Sequence, residues 1–135
     1  GAAALLDRLS ANALPAEGRM ALAPMLNPRG GIECDLTITR TAADAFYVVS
    51  AAGTATHDLD WIERHAPEDG SVTVEDVSAR TGVLTLAGPR SRDLLARLTR
   101  ADVSREAFPF FTWRDLEVGM APVPAFRLAA VKRWQ

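Results

Sequence analysis

A chain of 135 residues that is 48% hydrophobic and 24% charged can bury a real core, is too short for two ordinary domains, and is too apolar for a disordered tail. Lys and Arg number 15 against 17 for Asp and Glu, a formal charge of -2 with no block of one sign, so the composition argues against a nucleic-acid partner. The single cysteine, Cys34, excludes an internal disulfide and a cysteine-rich zinc site and fits a reducing cytoplasm, while the apolar opening Gly1 to Leu6 is far too short to span a membrane.

From Ala2 to Leu14, apolar residues at Ala2, Leu5, Leu6 and Leu9 recur at helical spacing until Pro15 and Gly18 break the pattern, which predicts an amphipathic helix. Arg19 to Leu26 has the composition of a strand, and Asn27, Pro28, Arg29, Gly30 and Gly31 supply turn chemistry for a hairpin. In the returning strand, Ile32 to Thr39, alternation puts Ile32, Cys34, Leu36 and Ile38 on a dry face and Glu33, Asp35, Thr37 and Thr39 on a polar one. A polar connection ends at Asp44, and Ala45 to Ala51 follows as an antiparallel strand rich in aromatic and β-branched residues. A three-residue loop, Thr41 to Ala43, puts Tyr47 and Val49 on the face of Asp35, whereas a slip by one residue puts Phe46, Val48 and Ser50 there; the pattern leaves both registers open.

Gly53 and Thr54 open a helix through about His65, with Leu59 and Ile62 on its apolar stripe and Pro67 and Gly70 beyond its end. Val72 to Val77 and Gly82 to Leu86 have strand composition, and Gly88 and Pro89 start a helix expected to bury Leu94, Leu95 and Leu98. Phe108 to Phe111 form an apolar knot before a hairpin, Thr112 to Val118 and Pro122 to Leu128, that turns at Gly119 and carries Pro122 and Pro124 on an edge. Hairpins joined by helices, without regular strand and helix alternation, indicate an α+β domain with a largely antiparallel sheet flanked by helices.

Asp35 is the residue whose setting suggests chemistry. A carboxylate in mid-strand between apolar segments needs water or a cation to stay ionised cheaply. Gly30 and Gly31 allow close backbone approach just before it and an aromatic-rich strand returns beside it, a setting that can hold a flat heterocycle; the plainer alternative is an exposed strand acid. Taken alone, Tyr47 and Val49 read as packing residues, His57, His65 and Trp61 as helix surface and packing, and Cys34 as a buried thiol. The pattern shows no nucleophilic triad, phosphate loop or metal site, and the two histidines are expected to add little toward one.

Three blocks, LNPRGGIECDL (Leu26 to Leu36), FYVVSAA (Phe46 to Ala52) and VLTLAGPRS (Val83 to Ser91), resemble in order and spacing the folate-binding aminomethyltransferase family, which includes the T-protein of glycine cleavage. Two more, HDLDWIERHAPEDGSVTVEDV and EAFPFF, are most similar to the folate-binding region of flavin-dependent dimethylglycine and sarcosine dehydrogenases. The resemblance covers about residues 1–128 and implies a partial folate-binding domain over 1–135. It implies that Asp35 stands beside the reactive folate nitrogens and that Leu22, Tyr47 and Val49 line the pocket, which favours the first of the two registers. It further implies tetrahydrofolate as cofactor, a methylamine-derived one-carbon unit as the group received, and 5,10-methylenetetrahydrofolate as product. FAD would belong to an upstream domain of the parent chain, since no GxGxxG is present here. After Leu128 the family continues with a Gly-Glu-x-Gly-aromatic-Glu segment that grips the pterin, whereas this chain reads AAVKRWQ, so a fragment or truncated reading frame is expected. A stand-alone folate-binding module and an inactive remnant are the alternatives.

Overall fold

The computed structural model describes residues 1–128, and the segment expected to depart from the family, 129–135, lies outside the described residues. The chain divides into two units, Gly1–Thr81 and Gly82–Gln135, each with its own antiparallel sheet.

The first unit opens with α1, Ala2–Leu9, whose buried side chains are Leu5, Leu6 and Leu9, the spacing of one helical stripe. The helix stops short of Leu14 because Ser10 turns extended and bridges Met25, and the Ala11 amide donates to the Pro24 carbonyl at 2.8 Å. Backbone pairing with the next strand outcompetes the further helical turn that the pattern predicted.

Strands β1 (Met20–Leu26), β2 (Ile32–Ala42) and β3 (Ala45–Val49) form a three-stranded antiparallel sheet in the order β1-β2-β3. The first turn is held by Asn27, whose Oδ1 accepts the amides of Arg29 at 3.0 Å and Gly31 at 3.1 Å. Gly30 sits there at φ 78, left-handed backbone that a Cβ would strain. Just past the turn Met25 pairs with Cys34 but Leu26 pairs with Ile32, so Glu33 is an extra residue in β2. This bulge breaks the expected alternation: Ile32, assigned to the dry face, is 69% exposed.

Helix α2, Ala55–His65, buries Asp58 and Ile62. Side chains from α1 and α2 and the inward residues of the sheet, among them Leu5, Met25, Cys34, Leu36, Ile38 and Ile62, make one core. Burying each large side chain of this set stabilises the unit by about 1.5–3 kcal/mol. The predicted strand Val72 to Val77 is not formed: Val72 and Val74 pack on the core as partly buried residues, and the chain then makes a short 3-10 turn, Ser78–Arg80.

In the second unit the predicted strand Gly82 to Leu86 is likewise unformed, with Val83 80% and Leu84 99% exposed. Strand composition states what could pair; among the described residues no neighbouring strand supplies the ladder for either segment. Helix α3 is Ser91–Ala96, starting after Pro89, and it leaves Leu94 and Leu98 exposed where burial was expected, with only Leu95 packed on the core. Strands β4 (Thr112–Val118) and β5 (Ala121–Arg127) form the predicted hairpin, with Gly119 at φ 66 in its turn. In a two-stranded ribbon both strands are edges, which accommodates Pro122 and Pro124. Val103, Phe108 and Leu116 form the small core beneath it. The elements are those of an α+β fold with antiparallel sheets, and no helix among the described residues is long and apolar enough to cross a membrane.

Candidate functional site

Strand register decides which side chains surround Asp35. On β1, Leu22 pairs with Thr37 and Pro24 with Asp35; on β3, Val49 pairs with Thr37 and Tyr47 with Thr39. Side chains alternate along a strand and paired residues share a face, so Leu22, Asp35, Tyr47 and Val49 stand on one side of the sheet. Of the two registers open from the sequence this is the one containing Tyr47 and Val49, reached by a different turn. Arg40 pairs with Phe46 and Ala42 with Ala45, so the turn is Ala43 and Asp44 and the extra residue is Thr41, whose hydroxyl donates to the Ala45 carbonyl at 3.1 Å.

This face is open. Leu22 is 54% and Val49 42% exposed, and the exposed Asp35 carboxylate has no hydrogen bond or ion pair among the described residues. Thr39 is fully buried at the inner end of the same row, and its hydroxyl has no hydrogen-bond partner among the described residues. An orphaned buried hydroxyl costs about 1–3 kcal/mol. A broad concavity of about 700 Å³ lies elsewhere, lined by Leu5, Arg8, Arg64, His65 and Pro67, and includes none of the residues around Asp35.

The opposite side of the sheet carries a second carboxylate in a contrasting setting. Asp58, only 3% exposed, accepts at Oδ2 from the Ser50 hydroxyl and from the Thr54 hydroxyl at 2.8 Å, while His57 Nδ1 lies 3.1 Å from its Oδ1. His57 Nε2 is 3.2 Å from Glu33 Oε1, and Asn27 Nδ2 donates to Glu33 Oε2 at 3.0 Å. The chain of contacts ties the first turn, the bulge in β2, the end of β3 and the start of α2 together.

The electrostatics follow from the partners. Burial pushes the Asp58 carboxyl up, but the donors Ser50, His57 and Thr54 outweigh it and hold it below the usual carboxylate range. Asp58 and then Glu33 raise His57, and the Asn27 amide with His57 lowers Glu33. The Cys34 thiol is pushed up to about 12, mainly by burial and further by Asp58, so it stays protonated at neutral pH and is no nucleophile on its own.

Sequence reasoning placed His57 on the helix surface and saw no partner for it or for Cys34. Its side chain is indeed 49% exposed, yet it bridges two carboxylates. The available signal was Thr54 four residues before Asp58 at a helix start; the link to Glu33, 24 residues back, depends on a bulge that composition does not show.

The class of protein defined so far is an α+β fold whose first antiparallel sheet is closed by helices on one face and presents an exposed carboxylate beside apolar side chains on the other. The chain belongs to the family described as the GCVT N-terminal domain, whose model matches residues 1–131. It is 36% identical over 126 residues to the mitochondrial dimethylglycine dehydrogenase of Homo sapiens, covering 93% of this chain and 14% of that protein. It is 34% identical over 121 residues to the mitochondrial sarcosine dehydrogenase of Mus musculus, 79% of this chain and 13% of that one. An aminomethyltransferase of Chlorobium luteolum is 38% identical over 74 residues, 55% of this chain and 20% of the relative. The chain thus spans about a seventh of the length of the dehydrogenases it matches.

Proposed function

We propose that the chain is the tetrahydrofolate-binding region of a dehydrogenase-like enzyme that oxidatively demethylates a methylamine such as dimethylglycine or sarcosine, and that it takes the released one-carbon unit to give 5,10-methylenetetrahydrofolate. The observation that carries this reading is the common face of Asp35, Leu22, Tyr47 and Val49 in a chain of this family. The residues suit a flat, nitrogen-rich ligand: Leu22 and Val49 offer apolar surface on either side of Thr37, Tyr47 an aromatic ring, and Asp35 an unengaged acceptor for an N–H.

Tetrahydrofolate, when bound, supplies the nitrogen nucleophiles that accept the one-carbon unit. Asp35 acts beside them as a fixed anion that stabilises positive charge developing on nitrogen and as the base for the proton released. FAD and the amine oxidation belong to another part of the parent enzyme, and the buried, reduced Cys34 fits a cytoplasmic setting.

Calorimetric titration with tetrahydrofolate tests the binding half, and the rate of 5,10-methylenetetrahydrofolate formation above the uncatalysed reaction tests the chemistry. Asp35→Asn should melt with the wild type and lower the catalysed rate about 100-fold or more, the usual scale for a positioned acid or base. No heat of binding would overturn the folate assignment and favour an inactive remnant; equal rates would overturn the role of Asp35. A stand-alone aminomethyltransferase-like module is the second reading, favoured by the likeness to the Chlorobium luteolum protein. A flavin-binding domain encoded upstream in the same gene decides against it.

A further inference from the structure

The side of the sheet opposite Asp35 brings three donor atoms of three kinds together: Cys34 Sγ, a ring nitrogen of His57 and a carboxylate oxygen of Asp58 all lie within 4.8 Å of one another. We propose that Cys34, His57 and Asp58 form a site for one borderline divalent cation, with Zn2+ as the natural occupant.

The donor set selects the metal. One thiolate and one imidazole favour Zn2+ or Co2+ over the hard cations Mg2+ and Ca2+, which take oxygen ligands. The spacing fits as well. Bonds of 2.0–2.1 Å at tetrahedral angles separate two ligand atoms by about 3.3 Å, and His57 Nδ1 and Asp58 Oδ1 are 3.1 Å apart. An ion entering among the three atoms replaces the hydrogen bonds that His57 and Cys34 make to Asp58.

An independent feature is the outer shell, which is already built. Metal-bound histidines generally donate their second ring N–H to a carboxylate, which fixes the tautomer and aims the other nitrogen at the metal. His57 Nε2 has such a partner in Glu33 Oε1 at 3.2 Å, and Glu33 is itself held by Asn27 at 3.0 Å. Asp58 Oδ2 is occupied by Ser50 and Thr54, which leaves Oδ1 turned toward His57. The bulge that takes Glu33 out of the β2 ladder is what brings it to this side of the sheet.

Cys34 and Asp58 are 2% and 3% exposed, whereas the His57 side chain is 49% exposed, so the ion enters past His57 and a water completes the coordination there. Binding forms one metal–sulfur, one metal–nitrogen and one metal–oxygen bond and releases two protons to solvent, one from the Cys34 thiol and one from His57 Nδ1, whose N–H faces Asp58, while Nε2–H stays on Glu33. The ion would staple α2 to β2, a structural role separate from the face of Asp35.

Chelator-treated chain titrated with Co2+ should take up one equivalent with a thiolate-to-cobalt charge-transfer band and the visible bands of a tetrahedral site. Zn2+ should displace it and Mg2+ should not. Cys34→Ser should abolish the charge-transfer band, and His57→Gln, at a half-exposed position that leaves the core intact, should abolish tight uptake. Glu33→Gln should weaken affinity about 10–100-fold, the usual loss for an outer-shell partner. No stoichiometric uptake, or uptake unchanged in both Cys34→Ser and His57→Gln, overturns the site.

Discussion

Asp35 and Asp58 stand on opposite sides of one small sheet and have opposite fates. Asp58 is buried and saturated with donors from Ser50, Thr54 and His57, while Asp35 is exposed and engages nothing among the described residues. A buried carboxylate keeps its charge only when hydrogen bonds replace the lost water, so its capacity is spent on holding the fold. The exposed carboxylate stays ionised in water, with its lone pairs uncommitted among the described residues. The density of contacts around a charged group therefore marks a fastener, and on the proposed reading the open face of Asp35 is where a ligand binds.

The contrast can be broken at several points. Leu36→Ala, on the closed face where Leu36 is 1% exposed, should cost about 2–5 kcal/mol in urea unfolding. Leu22→Ala, on the open face, should stay within about 0.5 kcal/mol. Equal costs would mean that the two faces are not different environments. Asp58→Asn should lose about 1.5–3 kcal/mol, since it weakens hydrogen bonds to a charged acceptor, against almost nothing for Asp35→Asn in the same assay.

The pH dependence sharpens the closed side further. His57 is raised above its ordinary value of about 6.5 by Asp58 and Glu33, with Arg64 the cation acting on Glu33. A raised histidine contributes stability that is full below the unfolded value and is lost as pH rises through the folded one. In chelator-treated protein, the thermal midpoint of wild type relative to His57→Gln should therefore be highest below the unfolded value of about 6.5 and converge as pH rises through the raised folded value. Smallest of all, Arg64→Ala removes the exposed one-turn pair with Asp60 and a weak attraction to Glu33, and should cost about 0.3–0.5 kcal/mol.

Much of the scaffold was legible because local chemistry agreed with tertiary structure. Asn27 to Gly31 reads as a turn and is one; Leu5, Leu6 and Leu9 read as a stripe and are buried; the row of Asp35, Thr37 and Thr39 reads as one face and pairs as one. The failures share a cause, which is that the deciding partner lies far along the chain. Strand composition at Val83 and Leu84 met no pairing strand, and the stripe Leu94, Leu95 and Leu98 met only a three-residue core. Ile32 was misplaced by a bulge that no residue type announces. Position and openness of the Asp35 face follow from the register, whereas the His57, Asp58 and Cys34 cluster needed the helix to be docked before it existed.

The bulge at Glu33 also gives the sheet slack. With one residue already outside the β1 and β2 ladder, a residue gained or lost in the turn is absorbed there rather than passed down the strand. As long as Cys34 keeps its pairing with Met25, everything beyond it keeps its parity and Asp35 stays on its own side. The loop beside the open face can then vary in evolution or be re-engineered, while the polarity of the sheet behind it is preserved.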